Sequence, residues 1–462
     1  MTITENGKRR AIFLVIGLGS FMGAMDSAIT SIIVPVIQKD LSTSLPAVQW
    51  VSLVYLVTVS GLLPVFGRLG DLWGHRAIYL AGILVFTLSS FLCSLAPAVG
   101  WLICFRVFQA VGSAMIISVA AAILTMNFPS ENRGRVLGMQ LTMTYLGLIA
   151  GPTLGGFVTH FWHWRAAFLI NVPIGIMLFL ATLWVVPRTG GGRRERFDFA
   201  EAVLLFAAIM AVLLGITGGV TATAELKAFL ILSGLLCGFF FVRSELRRER
   251  REEPVLLSMS LFRNRTFSLS AGVCLAGYTC EFFIAFLIPF YVMRVLGLSI
   301  GVAGLLLTLK SLMMVFVAPW SGSLSDRLGS RPLSLASMGC YMISFFLQTG
   351  LPAQSGIIRV AVPLILAGIA AGLFVSPNNS TMLGAAPRES QGVASAILGL
   401  MRNLGMSFGV AFSGVLLTFR AASLLEGFQF AMAWGIVIAT AGLLLSAFQK
   451  RASRVVAEQS RP

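Results

Sequence analysis

Long apolar stretches alternate with short polar segments along nearly the whole chain. Each stretch runs for about 18 to 25 residues, which is the length that a helix needs to cross the hydrocarbon core of a bilayer. The stretches cover approximately residues 11–35, 48–67, 77–96, 100–127, 136–158, 164–187, 198–218, 227–243, 266–294, 300–321, 333–350, 357–383, 393–418 and 428–449. The pattern predicts an all-α polytopic membrane protein with about 14 transmembrane helices.

Two polar loops repeat at a fixed separation along the chain. The segment from Gly67 to Arg76 recurs from Gly322 to Arg331, 255 positions later. A second pair of loops, at 129–134 and 387–392, recurs at a separation of 258. Spans one to six therefore repeat as spans nine to fourteen, and spans seven and eight form an inserted hairpin. An internal repeat of this kind is typical of membrane transporters.

The repeat predicts three regions. Residues 1–190 form an N-terminal six-helix bundle, and residues 191–265 form a linker with inserted helices seven and eight. Residues 266–462 form a C-terminal six-helix bundle with a cytoplasmic tail.

Composition excludes a water-soluble protein, because 57% of the residues are hydrophobic, 11% are charged and the mean hydropathy is +0.89. The formal net charge of +16 resides in the short segments between apolar stretches. Basic residues concentrate in alternate loops, including Lys8, Arg9, Arg10, Arg188, Arg193, Arg194, Arg196, Arg243, Arg247, Arg248, Arg250, Arg251, Arg263 and Arg265. By the positive-inside rule both termini are cytoplasmic, and nucleic acid is not an expected partner.

Enzyme chemistry has no support in the sequence. No glycine-rich phosphate loop, metal-ligand spacing or pairing of nucleophile and base is found, and we expect neither a cofactor nor a metal. The six cysteines lie in apolar stretches, which favours small core residues over disulfides. The energy for transport must then come from an ion gradient.

Two acids lie deep inside apolar stretches, and they too are 255 positions apart: Asp26 and Glu281. A carboxylate in hydrocarbon is costly unless it is paired, neutralised or hydrated, so each is a candidate functional group. Asp26 lies about 22 Å along the first helix, level with Arg106 on the fourth. A carboxylate and a guanidinium at the same depth can pair when their helices lie in one bundle, and they can part when water or a proton arrives. The alternative is a static ion pair that stabilises the N-terminal bundle.

Glu281 lies at a similar depth among aromatic residues, namely Tyr278, Phe282, Phe283, Phe286, Phe290 and Tyr291. An acid among aromatic faces suits a lipophilic cation. The alternative is that the aromatic rings face lipid while Glu281 is paired inside. Lys310 can reach Glu281 from the next helix, or else face a substrate anion. Arg402 can bind a substrate anion or brace the C-terminal bundle.

The repeated loops carry candidate gating residues. Asp71 and Asp326 are expected in short cytoplasmic loops, where a carboxylate caps a helix or pairs with an arginine to hold the inner side shut. The other expected gate residues are Gly67, Gly74, Arg76, Gly322, Arg327 and Arg331.

These motifs together resemble the major facilitator superfamily, and specifically its fourteen-helix drug:proton antiporter family. The first-loop signature matches Gly67 to Arg76, with Leu72 in place of the usual basic residue. The fourth-helix signature matches Arg106, Gln109 and Gly112, with Ala110 in place of a glycine. The antiporter signature matches Gly147, Gly151, Pro152, Gly155 and Gly156. Further similarity is found at Met25, Asp26, Val34 and Pro35 and in the segment from Trp164 to Gly175.

The resemblance implies two six-helix bundles that rock about a central cleft in a bacterial cytoplasmic membrane, with the chain acting as a monomer. It implies proton-coupled export of amphipathic small molecules. Lys310 is outside the matched signatures and favours an alternative, a dedicated exporter or flippase-like carrier of a lipid, siderophore or other anionic or zwitterionic metabolite. A receptor or scaffold without transport activity is a further alternative, which two buried acids disfavour.

Overall fold

The structure is a computed structural model that describes residues 5–129, 132–188, 199–218, 223–251, 253, 255–387, 390–419 and 422–449. The described residues are almost entirely helical. The helices are α1 (Glu5–Asp40), α2 (Leu45–Trp73), α3 (His75–Ser94), α4 (Val99–Asn127), α5 (Arg133–Phe161), α6 (Trp164–Leu169), α7 (Asn171–Val185), α8 (Phe199–Thr217), α9 (Ala224–Arg250), α10 (Arg265–Phe290), α11 (Ile300–Leu328), α12 (Ser330–Thr349), α13 (Ile357–Gly384), α14 (Gln391–Thr418) and α15 (Leu424–Ala447). Residues 191–198 of the predicted linker region and the tail from 450 onward lie outside the described residues.

Fourteen spans result, because α6 and α7 follow each other within one apolar stretch, Trp164–Val185. Among the described residues, 13 helical segments are long and apolar enough to cross a membrane. The remaining span is α12, which has the length but carries several serines and a glutamine. Ser337 Oγ and Ser344 Oγ each donate to a backbone carbonyl of α13, at Ala370 and Pro363 respectively, both at 2.7 Å. These polar side chains are thereby satisfied inside the protein, which makes them tolerable in a membrane span.

The repeated loops are much shorter than expected. Helix α2 continues to Trp73 and α11 to Leu328, so Asp71 and Asp326 lie in the last turns of helices rather than in loops. The prediction that these acids are loop residues is wrong. Each helix ends at a glycine, Gly74 with φ 92° and Gly329 with φ 81°, and the next helix starts immediately afterwards. Only glycine adopts this backbone conformation readily, which is why the turn falls there and not at the acid.

Spatial proximity divides the chain into two compact units. The first comprises Met1–Ser244, Ile288–Thr308 and Val410–Val415, and the second comprises Glu245–Leu287, Leu309–Gly409 and Leu416–Pro462. In the first unit α1 packs against α5 and α4, while α4 also contacts α2 and α3. In the second unit α12 packs against α13 and α15.

The glycines of the antiporter signature explain how closely α5 approaches its neighbours. Gly147, Gly151 and Gly155 lie against α1, where a side chain would meet the backbone or side chains of that helix. Gly156 instead lies against Gly304, and a Cβ on Gly156 would come within 3.1 Å of the Gly304 Cα. Both glycines belong to the first compact unit. Small residues at this spacing let helix backbones pack without intervening side chains.

Candidate functional site

Asp26 is at the centre of a buried hydrogen-bond network in the first unit. Arg106 Nη1 on α4 lies 2.6 Å from Asp26 Oδ2. Gln109 Nε2, also on α4, donates to Asp26 Oδ1 at 2.9 Å, and Asn171 Nδ2 at the start of α7 donates to the same oxygen at 2.7 Å. The expected pairing of Asp26 with Arg106 is therefore present. No role was predicted for Gln109 or Asn171, although both lie in segments that match the family.

The arginine of this network is held on several sides. Arg106 Nε donates to the Val51 carbonyl at 3.1 Å, and Nη1 also donates to Gln109 Oε1 at 2.7 Å. The guanidinium lies 4.2 Å from the centre of the Tyr55 ring. Tyr55 in turn donates from its hydroxyl to Ser113 Oγ at 2.8 Å. The guanidinium is thus fixed by hydrogen bonds and by an aromatic face, which is the geometry that suits a buried arginine.

Burial makes this network sensitive to a single proton. Asp26 and Arg106 are each 1% exposed. A charged pair at such a site is tolerable only while both partners are present and their hydrogen bonds are complete. Protonation of Asp26 would remove the negative charge and leave Arg106 without its counterion. Loss of either charge would therefore leave the other one uncompensated inside the protein.

Glu281 is at the centre of a second cluster, which lies wholly in the second unit. Lys310 Nζ on α11 lies 2.6 Å from Glu281 Oε1. Tyr341 on α12 donates from its hydroxyl to Glu281 Oε2 at 3.0 Å. The Lys310 side chain is 4% exposed and the Glu281 side chain 17%. Of the two arrangements predicted for Lys310, the structure has the one in which Lys310 pairs with Glu281.

The acids of the two clusters occupy corresponding positions in the repeat, but the cations that pair with them do not. Lys310 lies 255 positions after Tyr55, and Tyr341 lies 255 positions after Phe86, the same separation as between the two acids. Lys310 thus occupies the position that corresponds to Tyr55, whose ring contacts Arg106 in the N-terminal half. Tyr341 places a hydroxyl group where the N-terminal half has the apolar Phe86, and this difference between the repeats was the available signal for Tyr341.

The aromatic residues near Glu281 are packed inside the protein. Tyr278 is 3% exposed and Phe282 6%, while Phe283 and Phe286 are fully buried. The Tyr278 ring packs edge-on against Phe374 at 5.5 Å between ring centres. The alternative in which these rings face lipid is therefore wrong, although Glu281 is paired as that alternative required. Aromatic packing holds the helix that carries the acid.

Arg402 differs from the other two membrane cations. It is half-buried on α14, and no carboxylate of the described part of the chain lies within ion-pair distance of it. One turn further along α14, Gly405 lies against Leu275 and Tyr278 of α10. The neighbouring side chain, Asn403, is 6% exposed and its Nδ2 has no hydrogen-bond partner among the described residues.

The expected gate residues are only partly brought together. Asp71 Oδ1 lies 3.2 Å from His75 Nε2, and Asp71 Oδ2 lies 3.8 Å from Arg68 Nη1. Arg76 donates to the Leu183 carbonyl at 2.8 Å. His75, the first residue of α3, was not predicted; its position four residues after Asp71 was the available signal.

The remaining gate residues lie around the two helix junctions. Gly67 lies within α2 with open space beside it, and Gly322 lies within α11 against Ser376. Arg327 is exposed in the last turn of α11, and Arg331 is the second residue of α12. The Asp326 side chain lies outside the described residues. In the described part of the chain, no group of three or more histidine, cysteine or acidic side chains is arranged to hold a metal ion.

Comparison with known proteins identifies the class. The model of the Major Facilitator Superfamily matches residues 16–410. The chain belongs to this superfamily and is a multi-pass membrane transporter, not an enzyme. It is similar to the riboflavin transporter RibZ of Clostridioides difficile, with 31% identity over 401 residues that cover 87% of this chain and 86% of RibZ.

Drug exporters are also among the similar proteins. The tetracenomycin C resistance and export protein of Streptomyces glaucescens is 30% identical over 418 residues, which cover 90% of this chain and 77% of that protein. The crystal structure of a bacterial homologue of the human lysosomal transporter Spinster aligns with a TM-score of 0.64 and 17% identity, covering 97% of this chain and 99% of that one. This last similarity concerns the fold.

Proposed function

We propose that the protein is a proton-coupled antiporter that exports amphipathic small molecules by alternating access across a bacterial cytoplasmic membrane, with both termini in the cytoplasm. The observation that carries the proposal is the completely buried Asp26, whose two oxygens accept hydrogen bonds from Arg106, Gln109 and Asn171 on two other helices. Such a group is expensive to keep in a membrane unless its charge is used.

The mechanism follows from what a proton does to this network. Proton binding at Asp26 neutralises the carboxylate and turns one acceptor oxygen into a donor. Arg106 then loses its counterion, and the energetic penalty for an unpaired buried cation favours a different packing of α4. Return of the proton to water restores the pair. Alternation between these two states, each open to one side, would exchange protons for substrate.

The similar proteins support transport of small organic molecules. One similar protein is named a riboflavin transporter, and another is named a tetracenomycin C resistance and export protein. Glu281 and the adjoining Tyr278, Phe282, Phe283 and Phe286 are proposed to form the substrate-facing region of the second unit during the transport cycle, although the four rings are buried in this structure. Glu281 is a second candidate for proton binding. The junctions around Asp71 and Asp326 are the proposed gates. The protein is proposed to act as a monomer.

Substrate-induced proton release from purified protein tests the proposal. The unaltered protein should release protons on adding a transported compound, and Asp26→Asn should abolish the release while the protein remains folded. Asp40→Asn is the matched control, since Asp40 ends the same helix and is bound by Trp164 Nε1 at 2.8 Å and Arg165 Nη1 at 3.0 Å. Undiminished release from Asp26→Asn would exclude Asp26 from proton coupling.

A second candidate function is supported by the pairing of Glu281 with Lys310. A carboxylate that is neutralised at 2.6 Å within the protein is a poor receptor for a lipophilic cation. This favours a carrier dedicated to an anionic or zwitterionic metabolite, such as a lipid or siderophore. Transport of compounds with several different scaffolds, measured with and without a proton gradient, tests this candidate. A dedicated carrier should transport compounds of one scaffold, whereas a broad exporter should transport several.

A further inference from the structure

Five charged side chains of the described residues lie well inside the apolar stretches, and their charges do not cancel. The acids are Asp26 and Glu281, and the cations are Arg106, Lys310 and Arg402. Each acid has its own cation at 2.6 Å. The remaining charge is the positive charge of Arg402.

Arg402 lies far from both ends of its helix. It follows Gln391, the first residue of α14, by about eleven residues, or roughly 16 Å along the helix axis. An unpaired guanidinium at such a position is costly in a hydrocarbon environment, and it normally faces a cavity or a partner. Among the described residues, no carboxylate supplies the negative charge that would compensate Arg402.

Open space lies beside α14 at one position close to Arg402. Gly399 is one turn earlier on the same face, and a side chain added there would meet no atom within 4 Å. One turn after Arg402, α14 packs against α10, where Gly405 lies against Leu275 and Tyr278. Also on α10, the Ser270 carbonyl accepts from Asn378 Nδ2 at 3.1 Å, while the buried Oδ1 of Asn378 has no partner among the described residues.

From these observations we infer that Arg402 is the anchor for an anionic group of the transported molecule, and that the substrate is an amphipathic compound with a carboxylate, sulfonate or phosphate. This inference rests on the proposed export function and specifies its substrate class. A guanidinium presents several donors in one plane, which match two oxygens of such a group. The internal neutralisation of Glu281 by Lys310 removes the competing site for a cation.

Equilibrium binding of two dyes tests the inference without any proton gradient. The dyes share one aromatic scaffold, and one carries a sulfonate and the other a quaternary ammonium group. Purified full-length protein in nanodiscs should bind the sulfonate dye at least about tenfold more tightly, since a charge-assisted hydrogen bond contributes roughly that factor. Equal affinity, or preference for the ammonium dye, would overturn the inference even if no Arg402 variant can be purified.

Two variants then assign the effect to Arg402. Arg402→Gln should weaken binding of the sulfonate dye about tenfold or more and leave the ammonium dye unchanged, while Arg402→Lys should retain part of the affinity. Arg359→Gln, which removes an exposed cation at the start of α13, is the matched control and should bind as the unaltered protein does. An equal loss for both dyes in Arg402→Gln would indicate a bracing role and refute the anchor.

These results are independent of proton coupling. Asp26→Asn should still bind the sulfonate dye, because Asp26 lies in the other compact unit. Anion preference combined with unaltered proton release in Asp26→Asn would refute the proposed coupling and leave the Arg402 site standing. Absence of anion preference, together with loss of proton release in Asp26→Asn, would refute the Arg402 site and leave the proposed coupling standing.

Discussion

Asn171 Nδ2 donates to Asp26 Oδ1 at 2.7 Å, although the two residues are 145 positions apart. The contact depends on the break between α6 and α7, since Asn171 is the first residue of α7 and α6 ends at Leu169. The amide is fully buried. Asp26 is thus stabilised by a neutral donor as well as by the cation Arg106.

Replacement of Asn171 by Ala should destabilise the protein by about 1 to 3 kcal/mol, because a buried carboxylate oxygen loses a donor that water cannot replace. Thermal unfolding in detergent measures this, and substrate-induced proton release should fall with it. Asn127→Ala is the control, since Asn127 Nδ2 donates to the Ile123 carbonyl near the end of its own helix, α4. Equal stability of the Asn171 variant and the unaltered protein would show that Asn171 does not support Asp26.

Gly112 illustrates how tightly α4 packs against α3. A Cβ at Gly112 would lie 2.5 Å from the Phe86 backbone nitrogen and 2.8 Å from the Gly82 carbonyl oxygen. Backbone atoms cannot move aside as the end of a side chain can. Gly112→Ala should therefore separate the two helices and cost about 1 to 3 kcal/mol or more.

The matched substitution is Gly100→Ala on the same helix, where an added methyl group meets nothing within 4 Å. It should be neutral or slightly stabilising, because alanine favours a helix over glycine by up to about 1 kcal/mol. Melting temperatures of the two purified variants decide the comparison. Similar values would mean that the α3–α4 contact tolerates a wider separation.

Asp71 should affect turnover more than substrate affinity. Its carboxylate is 54% exposed and contacts His75 and Arg68 at a helix junction. Exposed ion pairs of this kind stabilise a protein by only about 0 to 1 kcal/mol, so Asp71→Asn should fold normally. Transport by the Asp71→Asn variant in liposomes should nevertheless be slower, because the proposed gate loses a negative charge.

Binding and transport assayed on the same preparation test this expectation. Glu225→Gln is the control, an exposed acid in the first turn of α9 and away from the repeated junctions. A large loss of equilibrium affinity in Asp71→Asn with normal turnover would place Asp71 in substrate binding instead. The corresponding change at Asp326 should have the same effect if the repeat extends to function.

The spans and the pairing of Asp26 with Arg106 could be predicted from the sequence, because burial of apolar helices and of charges in a membrane involves large free energies. Deep charges such as Asp26 and Arg106 are rare in apolar helices, and equal depth paired them on helices that the family resemblance places in one bundle. Asn171 and Gln109 are neutral, so neither depth nor composition distinguished them from ordinary polar residues. Tyr341 was missed because a tyrosine in an apolar stretch is usual. The helix ends were misplaced because Gly74 and Gly329, not the acids, determine where the chain turns.

The pairing of Glu281 with Lys310 should be detectable as a coupling energy. Lys310→Met leaves a carboxylate that is still contacted by Tyr341, and Glu281→Gln leaves a nearly buried lysine without a counterion. Each single variant should therefore be less stable than the double variant, which has neither charge. Residues in one network couple by about 0.5 to 3 kcal/mol, and unfolding of all four proteins measures this value.

The same four proteins report on charge selectivity. Lys310→Met should gain affinity for the ammonium dye, since Glu281 is then no longer neutralised at 2.6 Å within the protein. Tyr341→Phe is the control, because it removes the hydroxyl donor to Glu281 Oε2 without changing any charge. It should lower stability but leave the preference between the two dyes as it was. Additive stability effects together with unchanged dye preference in Lys310→Met would mean that the ion pair has no part in selecting the substrate.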